Sequence, residues 1–218
     1  MERKKSVDYS ELVFIMDRSG SMSGIASDME GAMKEVISKQ KDKEGDVLVT
    51  YVRFDDEYEE VFHEKNISEI DGFSLKPRSM TALLDAIGKT VNKVERRFNQ
   101  KDEADQPERI LFVIVTDGGE NASEEFTRPQ IFEMIKKREK KGWGFIYLGS
   151  NQDSFVEGNK IGISHGRTMS YDSTELGVTT AFASASDYVK SYRTASLHKS
   201  KSLKFDDVSD EVPSVKTK

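Results

Sequence analysis

Leu12-Val13-Phe14-Ile15-Met16-Asp17-Arg18-Ser19-Gly20-Ser21 is the stretch on which the fold turns. Five apolar residues run without a break and are then stopped by Asp, Arg, Ser and Gly. A run this short, bounded by turn formers, reads as a strand buried on both faces. Such strands belong to parallel sheets with helices on either side. The next segment has helical spacing, with Ile25, Met29, Met33, Val36 and Ile37 on one stripe and Gly45 shortly after its end.

Further along, Val47 to Phe54 and Tyr58 to His63 read as two strands separated by Asp55-Asp56-Glu57. So short a connection makes them antiparallel, an edge hairpin. Residues 64 to 79 are irregular. Leu83, Leu84, Ile87, Val91, Val94 and Phe98 then define an amphipathic helix beginning near Met80. Ile110-Leu111-Phe112-Val113-Ile114-Val115 is the most apolar run and the expected central strand, closed by Thr116-Asp117-Gly118-Gly119. Thr127 and Gln130 form a capping box for the next helix, with Pro129 in its first turn. Gly142 stops that helix before the strand Phe145-Ile146-Tyr147-Leu148. A short helix over Asp153 to Lys160, a weak strand over Arg167 to Ser170 and a final helix opened by a capping box at Asp172-Ser173-Thr174-Glu175 complete the pattern.

Alternation of this kind predicts a doubly wound α/β domain: a mostly parallel central sheet with one antiparallel edge strand and helices on both faces. The expected organisation is an N-terminal arm over 1–9, one domain over 10–195, and a flexible tail over 196–218, where Ser, Lys, Asp and Val offer no apolar face. The 218 residues suit one well-buried core.

Composition narrows the function classes. There is no cysteine, which excludes disulfides and thiolate metal sites. The net charge of −6 argues against nucleic acid as a partner, because a phosphate backbone rewards clustered Lys and Arg. No apolar run approaches the length of a membrane span, and the basic start Met1 to Asp8 lacks the apolar stretch of a signal peptide. A cytoplasmic protein with no membrane attachment is the expectation.

In doubly wound sheets, ligands bind at the carboxyl ends of the strands. Two such ends carry the same chemistry here: Asp17, Ser19 and Ser21 after the first strand, and Thr116-Asp117-Gly118 after the central one. Ser79-Met80-Thr81 supplies a third oxygen-rich loop. Carboxylates and hydroxyls are hard donors, suited to Mg²⁺, Mn²⁺ or Ca²⁺ rather than to Zn²⁺ or Cu²⁺.

With these residues in this order the sequence resembles the von Willebrand factor A domains. Their metal-ion-dependent adhesion site reads Asp-x-Ser-x-Ser, then a Thr in a later loop, then an Asp after the central strand. Asp17, Ser19, Ser21, Thr81 and Asp117 match all five positions. The resemblance covers roughly residues 10–195 and implies a small stand-alone member like those of bacteria and phages. It implies that Ser19, Ser21 and Thr81 touch a divalent ion, Mg²⁺ first with Mn²⁺ or Ca²⁺ as alternatives. Asp17 and Asp117 would hold the ion partly through water, and a partner protein would supply a carboxylate to the open position. Two carboxylates and three neutral hydroxyls only just balance a dication, which leaves it electrophilic.

Blander readings accompany the other features. The acidic Asp55, Asp56, Glu57, Glu59 and Glu60 read as an exposed hairpin turn, and Glu120 and Asn121 as a solvated loop. Ser23-Gly24 reads as helix entry. Asn151, Gln152 and Asp153 lie on the same rim as the metal loops, although Asp153 is equally a helix cap. His63, His165 and His198 show no ligand spacing, and Trp143 reads as core.

Catalytic readings fail at named residues. Gly20-Ser21-Met22-Ser23-Gly24 places Met where a nucleophile elbow needs Ser. Neither a phosphate-binding Gly-x-x-x-x-Gly-Lys loop nor a dinucleotide fingerprint occurs. An aspartyl nucleophile at Asp17 would want an acid two residues on, where Ser19 stands. The expectation is a non-enzymatic, metal-dependent protein-binding domain. Metal-assisted hydrolysis of a phosphate ester is the enzymatic alternative. A scaffold binding through Phe205-Asp206-Asp207 in the tail is the other.

Overall fold

The computed structural model describes residues 9–150 and 153–208. The N-terminal arm up to Asp8, Asn151, Gln152 and the tail beyond Val208 lie outside the described residues.

The strands are β1 (Ser10–Asp17), β2 (Val47–Phe54), β3 (Tyr58–Asn66), β4 (Arg109–Thr116), β5 (Gly144–Ser150) and β6 (Thr168–Tyr171). The helices are α1 (Ala26–Lys41), α2 (Leu83–Gln100), α3 (Arg128–Lys140), α4 (Ser154–Lys160), α5 (Glu175–Thr194) and the single turn α6 (Leu197–Ser200). One sheet of order β3-β2-β1-β4-β5-β6 carries them all, and only the β2–β3 pair is antiparallel. The expected doubly wound α/β fold with one antiparallel edge strand is the observed one.

Period-two alternation sorts β1 between two cores. Leu12, Phe14 and Met16 pack in one cluster with α1 and α5, whereas Val13 and Ile15 pack in the other with α2 and α3. Both faces are buried because the crossover helices cover both. Trp143 lies in the second cluster, stacked on Phe112.

The strand order also places the site. The chain leaves β1 for β2 on one side, then returns past β1 to lay down β4 on the other. β1 and β4 therefore flank the switch point, where adjacent crossovers diverge and leave a crevice at the carboxyl ends. Asp17 ends β1, and Asp117 follows β4 directly.

Two local expectations are corrected. The final helix is capped not by Asp172 but by Thr174, whose side chain accepts from the Gly177 N–H. The tail expected from residue 196 does not begin there: up to Val208 the chain folds back over α5. Leu203 and Phe205 are only 3% and 7% exposed and belong to the first core cluster. The cause is polar as well as apolar. Tyr188 and Arg167 are buried and need acceptors, and both donate to the Leu203 carbonyl, at 3.1 and 3.3 Å. The Phe205 ring then lies 5.0 Å from that of Tyr188. Few apolar residues suffice when the groove they fill is already lined with donors.

Phe205→Ala is expected to lower the unfolding free energy by about 3 kcal/mol, the usual cost of emptying a buried aromatic site. Urea denaturation reads this directly. An unchanged midpoint would mean that residues 203–208 are not part of the cooperative unit.

Candidate functional site

Parallel register brings the end of β1 beside the end of β4, with Met16 opposite Val115. The next pair is Asp17 and Thr116, and the Thr116 hydroxyl donates to Asp17 Oδ2 at 2.5 Å. The other carboxylate oxygen accepts the Ser19 N–H at 2.6 Å. Asp17 is fully buried. Burial pushes its carboxyl up from 3.8 to about 6, against the opposing pull of the Thr116 and Ser19 hydrogen bonds. Burial raises Asp117 as well, again opposed by a hydrogen bond, here from Ser21.

The remaining donors converge from three loops. Ser19 Oγ and Ser21 Oγ are 3.0 Å apart, and Ser21 Oγ donates to Asp117 Oδ1 at 2.7 Å. A methyl group placed on Gly118 would lie 3.4 Å from Thr81 Oγ1, 3.7 Å from Ser21 Oγ and 3.9 Å from Ser19 Oγ. Three hydroxyls thus border one small space beside Gly118, which a methyl group there would occupy in ordinary contact. All five residues singled out in the sequence reach this rim. Among the described residues no group of three or more His, Cys, Asp or Glu is arranged to hold a metal. The donor set here is different, two carboxylates and three hydroxyls, and its chemistry and convergence fit a hard divalent cation.

Side chains that looked incidental hold these loops. Arg18 is buried and forms ion pairs with Asp55 at 3.1 Å and Glu59 at 2.6 Å. Arg53 grips the same Glu59 through two nitrogens, both at 2.9 Å, and holds its carboxyl down at about 2. Arg78 pairs with Asp55 and Glu57. The acidic hairpin is therefore not a simply exposed turn. Asp55 is fully buried, and the cluster clamps the motif loop through Arg18. Backbone bonds complete the clamp, from Arg18 N–H to the Phe54 carbonyl and from Gly20 N–H to the Ser79 carbonyl.

Glu120 and Asn121 likewise do more than face solvent. Asn121 Oδ1 accepts the Thr81 N–H at 2.9 Å, while the Asn121 N–H donates to the Thr81 carbonyl at 3.0 Å. Glu120 accepts the N–H groups of Leu84, Ala122 and Ser123. Asp85 in the first turn of α2 accepts those of Glu124, Glu125 and Phe126. The loop after β4 is thus fastened to the start of α2, which fixes Thr81. Thr116 and Asp85 were missed as positioning residues. An acid in the first turn of a helix is a readable signal for Asp85, whereas the role of Thr116 depends on strand register.

Ser23 donates to the Gly20 carbonyl, consistent with helix entry. His165 stacks on Phe155 at 4.2 Å, and His63 lies beside Glu60 on the hairpin, neither of them at the rim.

A doubly wound sheet with an oxygen-rich rim at its switch point defines a familiar class of protein. Residues 11–184 match the family model of the von Willebrand factor type A domain, and the chain belongs to that family. Comparison with curated protein sequences gave no match. Among solved structures, the von Willebrand domain of a type V pilus tip protein from Porphyromonas gingivalis is similar at TM-score 0.61 and 11% identity, over 88% of this chain and 98% of that one. Proximal thread matrix protein 1 from the mussel byssus, in a form with a zinc-occupied adhesion motif, is similar at TM-score 0.58 and 15% identity, over 82% of this chain. The chain spans 45% of that mussel protein. The ArnB paralog VWA2 from Sulfolobus acidocaldarius is similar at TM-score 0.53 and 15% identity, over 82% of this chain and 45% of that one. At these identities the likeness speaks for the fold alone.

Two outcomes are expected from the rim's construction. Folding favours the protonated form of Asp17, so its contribution to stability is complete below about pH 4 and is lost as pH rises through about 6. Asp17→Asn should therefore raise the stability of metal-stripped protein at pH 7.5 by about 1–3 kcal/mol. The advantage should close as pH falls from about 6 to 4. Thermal unfolding across that range checks both the sign and the window; a variant less stable than the parent at pH 7.5 would refute it. Arg18→Met should cost about 2–4 kcal/mol, because Asp55 stays buried with one cationic partner fewer. A urea midpoint within error of the parent would show that Arg78 alone suffices.

Proposed function

We infer that the rim is a metal-ion-dependent adhesion site that takes Mg²⁺ and binds a carboxylate of a partner protein. The observation that carries this reading is the convergence of Ser19, Ser21 and Thr81 hydroxyls on the space beside Gly118, with Asp117 bonded to Ser21. Ser19, Ser21 and Thr81 would supply hydroxyl oxygens, and Asp17 and Asp117 the carboxylates. Bound there, a divalent cation supplies a Lewis-acidic attachment point for an anionic oxygen.

The rest of the work falls to the chain itself. Thr116 and the Ser19 N–H orient Asp17. Asn121 holds Thr81 at the mouth of α2. The Arg18 clamp keeps the Asp-x-Ser-x-Ser loop in one position against the hairpin. Such preorganisation limits what must be ordered when a partner arrives. The reading also draws on the named relatives: the mussel protein has zinc in this motif, and another is a pilus tip protein. We place the partner among proteins, and not nucleic acids, on the acidic balance of the chain.

Calorimetric titration of Mg²⁺ and Mn²⁺ into metal-stripped protein, with and without excess acetate, tests the reading beside Asp117→Ala. One binding site in the parent that disappears in the variant is the expected result. No binding by the parent under either condition would overturn it.

A further inference from the structure

Glu11 lies near the start of β1, at the end remote from the rim, and is only 2% exposed. Its neighbours in register are Leu48 on β2 and Ile110 on β4, both apolar. A carboxyl in such a place needs a donor, and the Thr50 hydroxyl donates to its Oε1 at 2.7 Å. The same Thr50 oxygen accepts the N–H of Glu64 on β3 at 3.2 Å and an N–H of Arg97 in the last turn of α2 at 3.4 Å. Both lone pairs of that oxygen are then used, so one hydroxyl ties β1, β2, β3 and α2 together.

Arg97 is shared among three acids. It donates to Glu60 on β3 at 3.0 Å and stands 3.9 Å from both Glu64 and Glu11. Its Nε is buried and makes no hydrogen bond among the described residues, so the guanidinium has a donor to spare. Each β3 acid has a second cation: Lys101 pairs with Glu64 at 2.8 Å, and Lys93 lies 3.8 Å from Glu60. Among the described residues Glu11 has only Arg97 within such reach. Tyr9, just before β1, completes the titratable surroundings. β3 is irregular at this place. Its pairing with β2 slips between Val49 and Tyr51, and Glu64 has a φ of 47°, in the left-handed region.

We propose that Glu11, Thr50 and Arg97 form a proton-operated latch on the edge strand: with Glu11 neutral, Arg97 grips Glu60 and holds β3 to α2, and with Glu11 ionised, Arg97 turns inward and the grip loosens. The move is short, because Arg97 already touches the Thr50 oxygen that bonds Glu11. An ionised carboxylate left in an apolar strand draws the nearest cation, and the spare Nε–H gives it a bond to make. Burial pushes the Glu11 carboxyl up from 4.5 to about 7, against the opposing pull of the Thr50 hydrogen bond. Folding thus favours the protonated form. That contribution to stability is complete below about pH 4.5 and is lost as pH rises through about 7. The strand so held also carries Glu59, the partner of Arg18.

The test is amide hydrogen exchange of the full chain between pH 5.5 and 8.5, corrected for the intrinsic pH dependence of exchange, with β4 as the internal reference. Protection across β3 should fall by about tenfold relative to β4 as pH rises, the loss of one charge-assisted hydrogen bond. Glu11→Gln, a neutral side chain of the same shape, should keep the low-pH protection throughout. Arg97→Met should show the reduced protection at both ends of the range. His63 lies 3.3 Å from Glu60, and an imidazole can change charge in the same range. It is present in parent and Glu11→Gln alike, so a difference between them belongs to Glu11. Equal pH dependence in those two, or parent-like protection in Arg97→Met at pH 5.5, would overturn the latch. The Glu11 carboxyl resonance gives a check that needs no variant: a midpoint near 7 supports the proposal, and one at the ordinary 4.5 overturns it.

Discussion

The burial of one carboxylate, Asp17, at the end of β1 is the constraint on which the rest of the rim depends. A carboxylate out of water is costly unless its oxygens are met. Here one oxygen is met by a hydroxyl of the neighbouring strand and the other by a backbone N–H of its own loop. The hydroxyl is there only because β1 and β4 run parallel and in register across the switch point, whereas the N–H comes from the tight turn that follows β1. The topology that permits a crevice also supplies the group that makes a charge tolerable at its floor. Even so, the carboxyl stays pushed up to about 6, which marks an unfavourable remainder that protein contacts do not remove.

An unfavourable charge held at the switch point must be kept from relaxing outward, and the surrounding ion pairs serve that end. Arg18 follows Asp17 directly, so wherever Arg18 is fixed, Asp17 is fixed too. Asp55 and Glu59 fix it from the hairpin, and Arg53 and Arg78 hold those acids in turn. Exposed ion pairs contribute little singly, but a network built around a fully buried Asp55 is a different case. Removing one member strands a charge instead of merely losing a contact.

The sequence shows some of this plainly and hides the rest. Leu12 to Met16 and Ile110 to Val115 identify buried parallel strands because burial on both faces needs unbroken apolar runs. The five rim residues are legible because hard donors recur at two strand ends. What is not legible is anything set by register or by folding back. Thr116 looks like a strand residue until it stands opposite Asp17. Asp55 and Glu59 look like turn charges until the guanidinium groups of Arg18, Arg53 and Arg78 arrive from other segments. Leu203 and Phe205 are too sparse to announce a core contact, and what recruits them is the unmet donors of Tyr188 and Arg167. Local pattern reports what a segment can bury; it does not report which distant polar group will need that segment.

The choice of hydroxyls over acids at the rim has a physical consequence. Several carboxylates brought within a few ångströms repel, and such a cage forms only as its ion arrives. Hydroxyls can donate to one another and to a carboxylate. The chain from Ser19 to Ser21 to Asp117 does so at 3.0 and 2.7 Å. The loops can therefore hold their shape through their own hydrogen bonds, while burial weighs on the two rim carboxylates, Asp17 at the floor and Asp117 beside it. This divides the labour between the residues. The hydroxyls and Asp117 set the geometry at small cost, while Asp17 concentrates an unfavourable electrostatic term where a cation would relieve it. On the adhesion-site reading, the buried acid would supply most of the electrostatic attraction for a cation, and the neutral groups around it the shape.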